Sequence, residues 1–173
     1  MDTLNYQYLN SPVGELKIGC YQDQLCLLDY RYRKQRDLID QRLLKGLEPG
    51  RRIEQQERAT PLHELTVQAL ERYFDRQIQR FDLPIKTVGS QFQHRVWTAL
   101  MAIPYGATRS YAQIAEQMGQ PSAVRAVANA DGANALAILI PCHRVIGKNG
   151  ALTGYAGGLT AKRKLLDLES AWI

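Results

Sequence analysis

The sequence predicts an α/β first half followed by a mainly helical second half. Three observations carry that expectation. Leu16, Ile18 and Cys20 alternate with polar or small residues, the period-two pattern of a half-buried strand. From residue 61 onward apolar residues recur at helical spacing. Two Ser-x-x-Gln patterns in the second half mark helix starts. The 173 residues suit two small domains, 1–85 and 86–173, with the composition changing across residues 82–90.

The elements follow in order. Leu4–Tyr8 and Leu16–Cys20 flank the turn-like Asn10-Ser11-Pro12-Val13-Gly14, and Tyr21–Gln24 turns the chain into Leu25–Leu28, so an antiparallel sheet is expected. Residues 36–46 read as a helix with Ile39, Leu43 and Leu44 on one side, and the polar stretch 47–59 reads as loop. Thr60-Pro61 supplies an N-cap and a first-turn proline, and Leu62, Leu65, Ala69, Leu70, Tyr73 and Phe74 complete a helix over 61–76. Ser90 and Gln93 form a capping box before Phe92, Val96, Ala99, Leu100 and Ile103, and Pro104 stops that helix. Ser110 and Gln113 repeat the pattern, with Gly119 as C-cap. After Gln120-Pro121-Ser122, residues 123–130 form the next helix, and 159–170 the last.

Charge is distributed unevenly. Residues 1–85 carry 13 Lys/Arg against 13 Asp/Glu, whereas residues 86–173 carry 9 against 4, so the whole net charge of +5 lies in the second half. Such a localised field suits a polyanion such as nucleic acid, and equally a solvated basic surface. The helix–turn–helix form of residues 110–130 leads the same way: a small-residue second helix with one long cation, Arg125, can approach a duplex closely while reading few base edges. An ordinary helical hairpin has the same pattern. No apolar run is long enough for a membrane span, and the opening MDTLNYQYLNSP lacks a secretory pattern, so a cytoplasmic protein is expected. Three cysteines, an odd number, agree with a reducing compartment. Cys20 and Cys26 form no metal-ligand pair, and His63 and His94 read as ordinary helix residues, so no metal is expected.

Leu139-Ile140-Pro141-Cys142-His143-Arg144-Val145-Ile146 places a thiol, an imidazole and a guanidinium inside an apolar run. Pro141 holds Ile140 extended and can end a strand at the thiol, leaving Cys142 and His143 on a turn. A nucleophile at a strand tip is one reading; a small buried hydrophobe is the other. The glycines at 147, 150, 154, 157 and 158 allow close backbone approach by a substrate, or simply turns.

Pro141-Cys142-His143-Arg144-Val145 resembles the active-site motif of the O6-alkylguanine-DNA alkyltransferases. Phe92-Gln93 with Val96-Trp97, Ser110-Tyr111, Arg125-Ala126-Val127, Asn134 and Gly154-Tyr155 with Gly157-Gly158 match in order, covering residues 90–169. The resemblance implies an α/β N-terminal domain with a ribonuclease-H-like antiparallel sheet and helices, then a mainly α C-terminal domain containing a helix-turn-helix. It implies DNA repair by irreversible transfer of a methyl or other alkyl group from O6-alkylguanine, with O4-alkylthymine a second candidate, to Cys142. Each molecule would react once, on a flipped nucleotide in double-stranded DNA, as a monomer without cofactor. His143, through water and supported by Glu169, would take the thiol proton. Asn134 would hold the segment before the active-site turn, and Tyr111 would donate to the leaving guanine. Arg125 would fill the gap left by the flipped nucleotide, with Ser110, Tyr111 and Ala126 also on DNA. Val145, Tyr155, Ala156 and Gly157 would line the substrate pocket.

This chain departs from the family at Ala128 and Asn129, where small glycines are common. It also departs at Asp131, a negative charge near the expected DNA face, and at Lys162-Arg163-Lys164, which lacks a tryptophan. No ligand set matches the zinc site of some relatives. Two other classes compete: a non-catalytic lesion-binding sensor or regulator, which the presence of Cys142 disfavours, and a Cys/His hydrolase, for which no oxyanion site is evident.

Overall fold

The computed structural model describes residues 2–170 and begins with three antiparallel strands, β1 (Thr3–Ser11), β2 (Gly14–Tyr21) and β3 (Gln24–Tyr30). Gly14 closes the first hairpin at φ 124°, a conformation open to glycine. Helix α1 (Arg36–Leu47) follows, then β4 (Glu54–Glu57) and α2 (Pro61–Phe74). The stretch 47–59, expected as loop, therefore contains a strand. Strand β4 runs parallel to β1 at the sheet edge, giving the order β3-β2-β1-β4 and a mixed sheet instead of a purely antiparallel one. All four of its residues are exposed and polar, so no alternation betrays it; a charged edge strand resists pairing with other chains.

The second half holds α3 (Gln91–Met101), β5 (Arg109–Ser110), α4 (Tyr111–Gln117), α5 (Val124–Gly132), a 3₁₀ turn at Cys142–Arg144, β6 (Val145–Ile146), a second 3₁₀ turn at Lys148–Gly150 and α6 (Leu159–Ser170). Both capping boxes form. Ser90 Oγ accepts from the Gln93 amide at 3.1 Å and Gln93 Oε1 from the Ser90 amide at 2.9 Å; Ser110 and Gln113 do the same at 3.1 and 2.8 Å. Thr60 starts α2 differently: its amide donates to Nδ1 of His63, whose Nε2 then donates to the Ile18 carbonyl. His63 thus ties α2 to the sheet.

One core runs through both halves. Leu16, Ile18, Leu25 and Leu28 of the sheet pack in a single cluster with Val96, Trp97 and Leu100 of α3, with Leu136 and Ile140, and with Leu165 of α6. The free edge of β3 is closed by chain from beyond residue 83. The Leu25 amide donates to Pro84 and the Lys86 amide to Leu25, while the Leu28 amide donates to Ala135 and the Ala137 amide to Leu28. Inside the second half, Trp97 Nε1 donates to the Ala130 carbonyl at 2.9 Å, fixing α5 on α3. Among the described residues no helix is long and apolar enough to cross a membrane.

Because the sheet and α3 share this core, urea should unfold the chain in one transition by both tryptophan fluorescence and far-ultraviolet circular dichroism. Leu28→Ala, at a fully buried position, should lower stability by about 2–5 kcal/mol while keeping that single transition. Two separate transitions would contradict the shared core.

Candidate active site

The segment leading to Cys142 is not a strand. Residues 136–140 form a compact turn with an Ala137–Ile140 bridge, and Ile138 sits at φ 73°. The reason is Asn134. Its Nδ2 donates to the Ile140 carbonyl at 2.9 Å, and its Oδ1 accepts from the Leu136 amide at 2.9 Å. A buried amide satisfies backbone groups that a neighbouring strand would otherwise pair. Pro141 then hands the chain to the 3₁₀ turn that carries Cys142, His143 and Arg144, all buried.

Beyond the turn, β6 pairs in parallel with β5, matching Val145 to Arg109 and Ile146 to Ser110. This two-residue ladder sets the first residue of α4, Tyr111, into the same cavity wall as Cys142. The cavity, about 1010 Å³, is lined by Cys142, Tyr111, Asn134, Ala128 and Asp131 on one side and by residues 153–159 on another. Tyr155, Ala156 and Gly157 belong to that lining as expected. Val145 does not: its side chain is fully buried in the core, and its carbonyl accepts from Lys162. The first half also contributes, through Val13–Glu15, Tyr30 and Tyr32–Gln35. Tyr30 O–H and Tyr155 O–H are hydrogen-bonded at 2.9 Å, and a Cβ at 157 would strike the Tyr30 ring, so glycine is required there.

The two residues that follow Cys142 on the 3₁₀ turn belong to a buried ionic cluster. Glu169, on α6, accepts from His143 Nε2 at 2.7 Å, from Arg144 Nε and Nη2 at 2.9 Å each, and from the Tyr73 hydroxyl of α2 at 2.7 Å. Arg144 Nη1 also donates to the Ile103 carbonyl at 2.7 Å. Burial alone would raise the Glu169 carboxyl; the hydrogen bonds and charges of His143 and Arg144 overcome it and hold the group at about 2. Burial holds His143 below the ordinary histidine value against the opposing pull of Glu169. The imidazole is therefore neutral at pH 7, with its proton on Nε2 facing the carboxylate. Nδ1 is left as a bare lone pair, and that atom is buried without a hydrogen-bond partner among the described residues.

Burial pushes the Cys142 thiol far up, with a further rise from the Asp131 charge and a partial offset from Asn134. The resting group is a thiol, so it reacts only if its proton is taken. Burial likewise pushes Tyr111 up to about 12, keeping its hydroxyl a donor at neutral pH. Lys162, fully buried, donates to the carbonyls of Val145, Thr153 and Gly154, clamping the glycine-containing loop to β6.

The structure brings several of the expected site positions together. Cys142, Tyr111 and Asn134 share the cavity, and His143 and Glu169 meet behind it. Arg125 and Ala126 are exposed on the outer face of α5, and Ser110 is half-buried at its helix cap. Asp131 departs from expectation. The inward row of α5 is Val127, Ala130 and Asp131, so its carboxylate faces the cavity and not the outer surface. Tyr73, Lys162 and the partner of Arg144 were not anticipated. A usable signal existed for one of them: Lys162, Leu165 and Glu169 fall on one face of α6, at spacings of three and four.

A thiol nucleophile opening into a cavity, backed by a neutral imidazole and an ionised carboxylate and flanked by a helix pair, defines a protein that attacks its substrate through one cysteine. Residues 91–171 match the family model of the DNA-binding domain of 6-O-methylguanine DNA methyltransferase. The methylated-DNA–protein-cysteine methyltransferase of Mycobacterium tuberculosis is 40% identical over 97% of this chain and 93% of its own. The constitutive enzyme of Bacillus subtilis is 44% identical over 95% and 94%. The crystal structure of the M. tuberculosis OGT in complex with DNA superposes with a TM-score of 0.80 at 39% identity, covering 96% of this chain and 93% of that one. The chain belongs to the methylated-DNA–protein-cysteine methyltransferase family.

Glu169 tests the cluster by titration. A carboxyl held at about 2 against an ordinary 4.5 contributes stability fully present above pH 4.5 and lost as pH falls towards 2. Glu169→Gln should lose about 3–5 kcal/mol at pH 7, because Arg144 is left buried without its anion. The variant should also lose less stability than the parent between pH 4.5 and 2, measured by thermal melts. Equal acid dependence in both proteins would contradict this account.

Proposed function

We propose that this protein repairs alkylated DNA by moving the alkyl group from O6 of guanine to Sγ of Cys142, once per molecule. The observation that carries the reading is the placement of the Cys142 thiol in the cavity wall with the His143–Glu169 pair behind it, in a chain of this family. The bare Nδ1 of His143 accepts the thiol proton through a bridging water, and Glu169 stabilises the imidazolium that forms. The thiolate attacks the alkyl carbon, an S–C bond forms and the C–O6 bond breaks. Tyr111 donates its hydroxyl proton to the departing purine and is reprotonated, through solvent, with the proton that His143 took from the thiol. One proton leaves the thiol and one reaches the purine, so the net exchange is alkyl for hydrogen. The S-alkyl thioether is stable, and the molecule is consumed without any cofactor.

Helices α4 and α5 act as a helix-turn-helix whose second helix lies on the duplex. Arg125 is exposed at the second residue of α5 and would occupy the space vacated by a flipped nucleotide, while Ser110, Tyr111 and Ala126 contact the strand. Residues 1–85 form a ribonuclease-H-like domain and residues 86–173 the DNA-binding and acceptor domain. O4-alkylthymine is a second substrate. The protein works as a monomer in the cytoplasm, where its free cysteines stay reduced.

Incubation with duplex containing O6-methylguanine should add one methylene mass to the peptide carrying Cys142 and saturate at one per protein, read by mass spectrometry. Continued turnover, or an adduct on another residue, would overturn the assignment. Arg125→Ala should slow repair of duplex DNA roughly ten-fold or more, with much less effect on free O6-alkylguanine base, because only the duplex pays the flipping cost of a few kcal/mol. Equal losses on both substrates would remove the gap-filling role.

A further inference from the structure

The transfer of a methyl group as described makes no use of Asp131, yet its carboxyl is built into the acceptor cavity. It lies on the inward row of α5 and lines the wall together with Tyr111, Asn134, Cys142 and Tyr155. Its Oδ1 is buried and has no hydrogen-bond partner among the described residues. The charge of Lys162 opposes the effect of this burial, but that ammonium is committed to the carbonyls of Val145, Thr153 and Gly154. A buried acceptor left unpaired is costly unless a ligand brings a donor to it. Nor does the carboxylate help the nucleophile, since its charge raises the thiol.

Building on the alkyl-transfer reading, we infer that Asp131 is a specificity-determining residue for the adduct. Its free carboxylate oxygen favours O6-alkyl groups that carry a hydrogen-bond donor, such as 2-hydroxyethyl, and disfavours anionic groups, such as carboxymethyl. A hydroxyl on the adduct supplies the missing donor. A second carboxylate would bring like charges together in a cavity of low dielectric.

The ionisation of Asp131 adds a signature. Burial raises its carboxyl to about 7, with Lys162 opposing. Glu15, Arg33 and Lys34 of the first half also line this cavity. Burial holds Tyr111 of α4, Cys142 of the 3₁₀ turn and Tyr155 of the glycine loop protonated. Burial also lowers His143, next to the thiol in the chain, and Lys162 of α6, whose ammonium donates to three carbonyls. Discrimination against the anionic adduct therefore grows as pH rises through this range.

The test compares transfer rates from duplexes carrying O6-methyl-, O6-(2-hydroxyethyl)- and O6-carboxymethylguanine, using the full chain at pH 6 and pH 8. Each rate is referred to the methyl rate, which cancels any general effect on the thiol. In the parent protein the carboxymethyl-to-methyl ratio should fall several-fold from pH 6 to pH 8. Asp131→Asn should raise that ratio about ten-fold at pH 8 and flatten its pH dependence. Asp131→Ala should remove the hydroxyethyl preference, also by about ten-fold, the range a hydrogen bond to a charged group supports. Ratios unchanged by both substitutions, or shifted equally for all three adducts, overturn the inference while leaving methyl transfer intact. A parent protein that fails to transfer methyl overturns the alkyl-transfer reading itself and this inference with it. The pH arm on the parent protein decides the matter even if a variant does not fold.

Discussion

The structure depends on one buried carboxylate. Glu169 receives four hydrogen bonds from three side chains, Tyr73 on α2 and His143 and Arg144 on the 3₁₀ turn, and it stands on α6. Among the described residues, no other side chain is hydrogen-bonded to the first half of the chain, the active-site turn and the last helix at a single point. Its charge is tolerated because Arg144 is permanently cationic and meets it through two parallel N–H bonds. That pairing frees His143 to remain neutral. The same carboxylate orients the imidazole, fixes its tautomer and anchors the turn that carries the thiol.

Around this point the chain positions the nucleophile by backbone bonding more than by side-chain packing. Asn134 shapes the turn before Pro141, the β5–β6 ladder brings Tyr111 beside it, and Lys162 holds the loop beyond it. Asn134 replaces a strand partner that the segment before Pro141 lacks. The sheet matters here too. Residues 135–137 close the edge of β3, and Tyr30 at the end of that strand packs against the loop at Gly157 and bonds Tyr155. The acceptor cavity is thus a joint product of both halves, although its reactive groups come from the second.

Much of this was legible in the residues. The order of the main helices and the first three strands follows from periodicity and caps, and the helix starts at Thr60, Ser90 and Ser110 lie where their side chains place them. Cys142, His143, Asn134 and Tyr111 could be named from motif resemblance. The strand Glu54–Glu57 was not visible, because an exposed polar edge strand carries no hydrophobic alternation. The apolar run before Pro141 suggested a strand, because period and composition do not reveal that Asn134 will take its backbone bonds.

The sequence by itself determined the local structure and the chemistry on offer: which segments coil, where they stop, and that a thiol and an imidazole stand next to each other. Those properties depend on neighbours within a few residues. Only the tertiary structure decided that Arg144 and Tyr73 converge on Glu169, that Lys162 is a buried clamp, and that Asp131 faces the cavity. Each of those outcomes pairs groups between 8 and 96 residues apart or turns on the rotation of one helix against its neighbours. Such pairings are set by the packing of the shared core, which no local pattern encodes.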